Sequence, residues 1–267
     1  MEAAMAKIIA ITNQKGGVGK TTTAMNFGVW LQLRGKRVLL IDMDPQCSLT
    51  YIMSGNTDGL TVQDLILDPS LDAAQAVQHV QEGDLIPSNR ELGSLDMLLT
   101  TNDRAFRLAE SLKQLRRYYD YIVIDSPPAL GVLTVNVLTA ADGVIVPALA
   151  DIFSLQGVGE LYSTIQAVKE YCNPGLLLYG ILLVRVSPRR LLDRSMRDLL
   201  TDTATQIGSL VFKSSIRELV AVREAAALRR SIFAYAPRSK QAKDYDKFLD
   251  EYLNLERRGI WRQACGK

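Results

Sequence analysis

The chain has 267 residues, 48% of them hydrophobic and 22% charged, with a formal net charge of +2. That length and composition support one substantial core in a single domain over residues 1–267; no uncharged apolar run of about 18 residues and no basic-then-apolar start occurs, which points to a soluble, cytoplasmic protein and away from membrane spanning or export. Cys47, Cys172 and Cys265 fall in no CxxC or Cys/His spacing and His79 is the only histidine, so a disulfide framework, a zinc site and a histidine-dependent triad are all set aside.

Taken in chain order, strand-length apolar runs alternate with longer amphipathic stretches. A strand over Lys7–Thr12 leads through a Gly-rich turn into a helix over Lys20–Leu33, followed by a strand over Arg37–Asp42. A surface loop over 54–60 and a strand over Asp84–Pro87 come next, with His79 between them on a helix or loop surface. Beyond these the pattern predicts a helix over Asp103–Arg117, a strand over Tyr121–Asp125, a helix over Leu133–Ala141 and a strand over Gly143–Pro147. A helix over Leu155–Tyr171, a strand over Tyr179–Val186 and helices over Asp193–Ile207 and Lys240–Leu255 complete the chain. Ile8–Ile11, Val38–Ile41 and Ile122–Ile124 are apolar at every position, as strands buried on both faces require. The expected fold is α/β, a mostly parallel twisted sheet with helices on both faces.

The turn reads Lys15-Gly16-Gly17-Val18-Gly19-Lys20-Thr21-Thr22. Between a strand and a helix, such a turn aims consecutive backbone N–H groups and a positive helix end at phosphate oxygens, and its glycines let the backbone come close. Lys20 is then placed on the β- and γ-phosphates of ATP and the Thr21 hydroxyl on Mg²⁺. The standard pattern carries Gly at position 14, whereas this chain has Gln14 followed by Lys15.

Ligands of open α/β sheets gather at the carboxyl ends of the strands. Two strands end there in acids, Val38-Leu39-Leu40-Ile41-Asp42-Met43-Asp44 and Ile122-Val123-Ile124-Asp125. The second has the Walker B form, which places Asp125 on Mg²⁺ through a water.

Lys15–Thr22 resembles the deviant Walker A motif of the ParA/MinD ATPases, and Asp42-Met43-Asp44-Pro45-Gln46 is similar to their Walker A′ motif. Val146-Pro147, Ser154–Gly157, Ser214–Glu218 and Tyr235–Lys240 extend the likeness along the chain, closest to the small ParA/Soj partition proteins. The resemblance implies ATP sandwiched in a homodimer, with Lys15 reaching the partner's phosphates, Asp44 positioning the attacking water and Asp42 in structural support. It further implies slow hydrolysis, nucleoid association through non-specific DNA binding by the ATP-bound dimer, and release when a ParB-like protein stimulates turnover.

Charge is distributed accordingly. From Arg185 onward there are eighteen Lys/Arg against ten Asp/Glu, so the excess positive charge lies at the C-terminal end. Within that basic cluster the resemblance places Arg189 and Arg217 near positions where small ParA proteins carry DNA-contacting arginines, and these, with Arg190 and Arg223, are the candidate DNA contacts. Ala226-Ala227-Leu228-Arg229 stands where the family often has Pro-Ser-His-Gly, so adenine contacts are not carried over. Two alternatives share the same core: a MinD-like membrane-cycling ATPase, which needs an amphipathic tail where this chain has Leu255–Arg262 interrupted by Gly259, and a ParA-like protein that positions a protein cargo on the nucleoid.

Overall fold

A computed structural model of the chain describes residues 5–99, 103–187, 191–218 and 220–261. The elements in order are β1 (Lys7–Ile11), α1 (Lys20–Leu33), β2 (Val38–Asp42), α2 (Ser48–Ile52), α3 (Val62–Leu67), β3 (Gln78–Val80), β4 (Gly83–Ile86), α4 (Leu95–Leu98), α5 (Arg107–Leu112) and β5 (Tyr121–Asp125). They continue with α6 (Val132–Ala140), β6 (Gly143–Ala148), α7 (Ile152–Tyr171), β7 (Leu177–Val186), α8 (Leu191–Gln206), β8 (Val211–Arg217), α9 (Ala221–Ala227), α10 (Ile232–Tyr235) and α11 (Lys240–Arg257).

The eight strands form one sheet in the order β3-β4-β2-β5-β1-β6-β7-β8, parallel throughout except for β3, which runs antiparallel to β4. Side chains alternate across a strand, so each central strand feeds two cores. Ile8 and Ala10 of β1 join Ile122, Ile124 and helices α5 to α8 on one face. Ile9 and Ile11 join Val123, Phe27 and Trp30 of α1 and the Tyr245, Phe248 and Tyr252 ridge of α11 on the other. The uninterrupted apolar runs are thus explained by burial on both sides, and the α/β class expected from them is what the structure has.

Three expectations change. The helix foreseen over Asp103–Arg117 is only α5 followed by a single 3₁₀ turn at Leu115–Arg117. His79 lies in the short edge strand β3, where its Nδ1 meets Asp84 Oδ1 at 2.6 Å. The last strand, β8, has no counterpart among the expected elements: in Val211-Phe212-Lys213-Ser214-Ser215-Ile216-Arg217 only Phe212 and Ile216 are buried, as befits an edge strand. Among the described residues, no helix is long and apolar enough to cross a membrane.

Candidate functional site

The phosphate loop grows out of β1, which is held between β5 and β6. As the chain leaves the sheet, the Thr12 N–H donates to the Ile145 carbonyl at 3.1 Å. Buried Asn13 then pins the turn: its Nδ2 donates to the Pro147 carbonyl at 2.7 Å and its Oδ1 accepts from the Lys15 N–H at 3.0 Å. Gly17 and Gly19 adopt φ of +73° and +77°, and a Cβ at Gly16, Gly17 or Gly19 would meet nothing within 4 Å. The positive φ at Gly17 and Gly19 is one that L side chains rarely adopt, and the absence of side chains at all three glycines leaves the loop backbone open to a ligand. Gly19 begins α1 with no side-chain cap and no acid in the first turn, so the positive helix end faces the concavity uncompensated.

The two lysines of the loop part company. Lys20 is buried and its Nζ donates to the Lys15 carbonyl at 3.2 Å. Burial lowers its pKa, while the nearby Asp125 and Asp44 carboxylates act to raise it. The Lys15 side chain turns out of the concavity toward α7, where its Nζ donates to Asp151 Oδ2 at 2.6 Å and sits 5.5 Å from the centre of the Phe153 ring. Gln14, with its amide nitrogen turned to Glu160 Oε2 at 2.7 Å, ties the start of the loop to the same helix.

At the carboxyl edge, β2 and β5 are in register so that Asp42 and Asp125 are Cα partners. Asp42 is spent on structure. Its Oδ1 accepts from the Asp44 N–H at 3.0 Å, and its Oδ2 accepts from the Thr50 N–H and hydroxyl, both at 2.7 Å. Burial pushes its carboxyl up to about 6 against the lowering effect of these donors. Asp44 sits on the loop so fixed, with Oδ1 accepting from the Gln46 N–H at 2.9 Å. That loop ends at Cys47, which takes φ of +56° ahead of α2.

Asp125 is different, for both of its carboxylate oxygens are buried with no hydrogen-bond partner. Burial, reinforced by the neighbouring Asp42, holds its carboxyl well above the usual range, while the Thr21 hydroxyl and Lys20 lie near enough to favour the ionised form. A desolvated, unpartnered carboxylate beside a hydroxyl and an open phosphate cradle fits a hard divalent cation, with Asp125 and Thr21 as the residues that would hold Mg²⁺.

Next to Gly17, Gly19 and Thr22 lies a cavity of about 190 Å³ walled by Val184, Ile216, Val222 and Tyr245 and rimmed by Arg185, Arg217, Glu218 and Arg223. Its place beside the loop and its apolar walls suit a nucleoside. A larger cavity of about 600 Å³ lies at the opposite, amino edge of the sheet, lined by Lys7, Arg116 and Trp261. Of its cations, Lys7 pairs with Glu256 and Arg116 with Asp142, while Arg257 donates to Asn254 Oδ1 at 2.6 Å.

The basic cluster looks different in three dimensions. Arg217 is committed to Asp244 through Nε at 2.8 Å and Nη2 at 2.6 Å, and its own N–H joins the same carboxylate at 3.1 Å. It therefore staples β8 to α11 at the cavity rim, while its side chain stays 31% exposed. Arg185 pairs with Glu218 at 2.7 Å and Arg197 donates to the Phe212 carbonyl at 3.0 Å. Arg223, with its side chain 73% exposed, keeps a reach to solvent. Arg189 and Arg190 lie outside the described residues.

Sequence reasoning passed over Asn13, Thr50 and Asp151. Asp151 was findable, because it follows β6 at the same carboxyl edge that directed attention to Asp42 and Asp125. Thr50 and Asn13 act through hydrogen bonds that no spacing announces.

A backbone phosphate cradle at the head of α1, a buried lysine within it and acids on the adjoining strand ends define a P-loop nucleotide-binding protein. Residues 6–178 match the protein-family profile described as AAA domain. Over 247 residues the chain is 38% identical to the sporulation initiation inhibitor protein Soj of Bacillus subtilis, covering 90% of this chain and 96% of that one. It is 36% identical over 264 residues to the chromosome partitioning protein ParA of Caulobacter vibrioides, covering 96% and 97%. Among solved structures it resembles a cobyrinic acid a,c-diamide synthase from Mycobacterium smegmatis with bound ADP and magnesium, at 33% identity and a TM-score of 0.78, covering 96% and 97% of the two chains. The chain belongs to the ParA/Soj family of P-loop ATPases.

Proposed function

We propose that the chain is a partition ATPase that dimerises on ATP, binds DNA without sequence preference as the ATP-loaded dimer, and leaves it after hydrolysis stimulated by a ParB-like partner. The observation that carries this reading is the separation of the two loop lysines. Lys20 lies inside the cradle, as a cis ligand of the phosphates must, whereas Lys15 points to Asp151 beside exposed Ile152 and Phe153, which supports a role for it toward a facing subunit.

In this reading Lys20 and the backbone of residues 16–22 bind the phosphates, and the apolar-walled cavity takes the nucleoside. Thr21 and Asp125 hold Mg²⁺, which supplies positive charge to the phosphate oxygens. Asp44 orients the attacking water from a loop that Asp42 and Thr50 keep in place, and the partner's signature lysine adds a further cation. With no arginine supplied from its own loop, unstimulated turnover is slow. Arg223, Arg189, Arg190 and the exposed Lys213, Lys240 and Lys243 give the dimer a basic surface for phosphate backbones.

The test is size-exclusion chromatography and DNA mobility shift with ATP and with ADP. ATP alone is expected to yield a dimer and salt-sensitive DNA binding, and Lys15→Ala is expected to bind nucleotide yet lose both. A Lys15→Ala protein that dimerises and shifts DNA as wild type does would defeat the reading. Positioning of a protein cargo uses the same cycle and differs only in what the partner carries.

A further inference from the structure

Lys15 has a partner within its own chain. Asp151 and Lys15 are 136 residues apart in sequence, yet their Nζ–Oδ2 contact is 2.6 Å, with each side chain about one-third exposed. Asp151 is itself fixed, because it caps α7: its Oδ1 accepts from the Ser154 N–H at 2.8 Å. The ammonium also lies against the Phe153 ring, and the Lys15 backbone is held by Asn13. Carboxylate, ring and backbone anchor thus hold the signature lysine in one place on its own subunit.

We propose that Asp151 is a cis latch on Lys15, an internal anion that must be given up before the lysine can serve a facing subunit, so that Asp151 opposes ATP-dependent dimerisation. The inference rests on the trans role given to Lys15 above. One cation cannot satisfy its own Asp151 and a partner's phosphates at once, and two latches open for each dimer formed. A partly exposed ion pair confers a preference of a few-fold, so removing both shifts the dimer dissociation constant by about two- to thirty-fold. Salt weakens the latch, though it weakens the trans contact as well.

The test uses the full chain with Asp44→Ala to block hydrolysis. Asp151→Asn removes the charge while keeping a good helix cap, and Asp151→Ser repeats the test with a different cap. Dimerisation with ATP is followed by sedimentation, and the nucleotide-free protein is labelled with an amine-acylating reagent whose yield at Lys15 is read by mass spectrometry. Both variants are expected to dimerise at lower protein concentration and to label faster at Lys15, with thermal unfolding reporting that α7 remains capped. The gain in dimerisation should vanish on a Lys15→Ala background. Unchanged or weaker dimerisation in the Asp151 variants, with Lys15→Ala still defective, overturns the latch and leaves the trans role standing. If Lys15→Ala dimerises normally, both fail. Labelling at Lys15 indifferent to Asp151 overturns the latch by itself.

Discussion

Asp42 and Asp125 end adjacent parallel strands as Cα partners, yet Asp42 accepts three hydrogen bonds and Asp125 none. Each carboxyl has a folded-state pKa above its ordinary value of 3.8, Asp42 pushed up to about 6 and Asp125 held well above the usual range, in both cases chiefly by burial. The folded chain therefore holds these protons more tightly than the unfolded one. Their contribution to stability is complete below the ordinary value and is lost as pH rises through the folded values. The nucleotide-free protein is expected to lose stability from about pH 4 up to about pH 7, by at most about 1.4 kcal/mol per pH unit for each proton. Asp125→Asn should make that decline shallower in urea unfolding at a series of pH values. Equal slopes in the two proteins would remove Asp125 from the account.

Thr50 stands at the centre of a relay. Its hydroxyl donates to Asp42 at 2.7 Å and accepts from the Ser88 N–H at 2.9 Å, joining the Asp44 loop to the end of β4. Thr50→Val keeps the shape and deletes both bonds, leaving buried groups unsatisfied. A loss of about 1–3 kcal/mol in stability is expected. Nucleotide affinity should be nearly preserved while kcat falls, because the loop carrying Asp44 is loosened and the phosphate cradle is not. A variant with wild-type turnover would show that Asp42 does not steady Asp44.

Arg217 and Asp244 offer a direct contrast between structure and DNA contact. The Asp244 side chain is 7% exposed and that of Arg217 31%. Arg217→Met strands a buried carboxylate and is expected to cost about 1–3 kcal/mol, less than a fully buried pair because the arginine is partly in water. Arg217→Met with Asp244→Leu should recover much of that stability. If the double variant is stable and still shifts DNA at moderate salt, Arg217 serves as a staple; if stability returns and DNA binding does not, it contacts phosphate.

Trp261 bears on the membrane-cycling alternative, which needs an apolar tail free to enter lipid. Its indole N–H donates to the Tyr179 carbonyl at 2.5 Å, and its ring lies 4.5 Å from that of Tyr179 and 5.3 Å from that of Tyr252, centre to centre. Trp261→Ala is expected to destabilise the chain by about 3–5 kcal/mol. Co-sedimentation with anionic vesicles in ATP should be negligible for the wild type. Retention of the wild type on vesicles, lost with Trp261→Ala while the fold persists, would favour lipid binding.

The centre of the molecule was legible because its physics is local in sequence. Strands buried on both faces must be apolar at every position, and a phosphate cradle must be contiguous, so Ile8–Ile11 and Lys15–Thr22 declare themselves. The edges were not. Strand β8 carries Lys213 and Ser214 among its apolar residues, and β3 is three residues long. The ion pairs within the basic cluster were hidden for a related reason: charge can be counted along a chain, but the carboxylates that pair with Arg217 and Arg185 are brought to them by topology. The same holds for Lys15 and Asp151, whose strands and helices meet only once the sheet is assembled.

The Lys15 carbonyl accepts from Lys20 Nζ at 3.2 Å, so the lysine of the cradle has a hydrogen-bond partner within its own loop. Nucleotide affinity at this site is accordingly an exchange free energy: the attraction between ammonium and phosphate, less that of the ion–dipole bond surrendered to make it. Any substitution that alters the path of the loop at Lys15 will change the reference level from which binding is measured, even if it never touches the nucleotide.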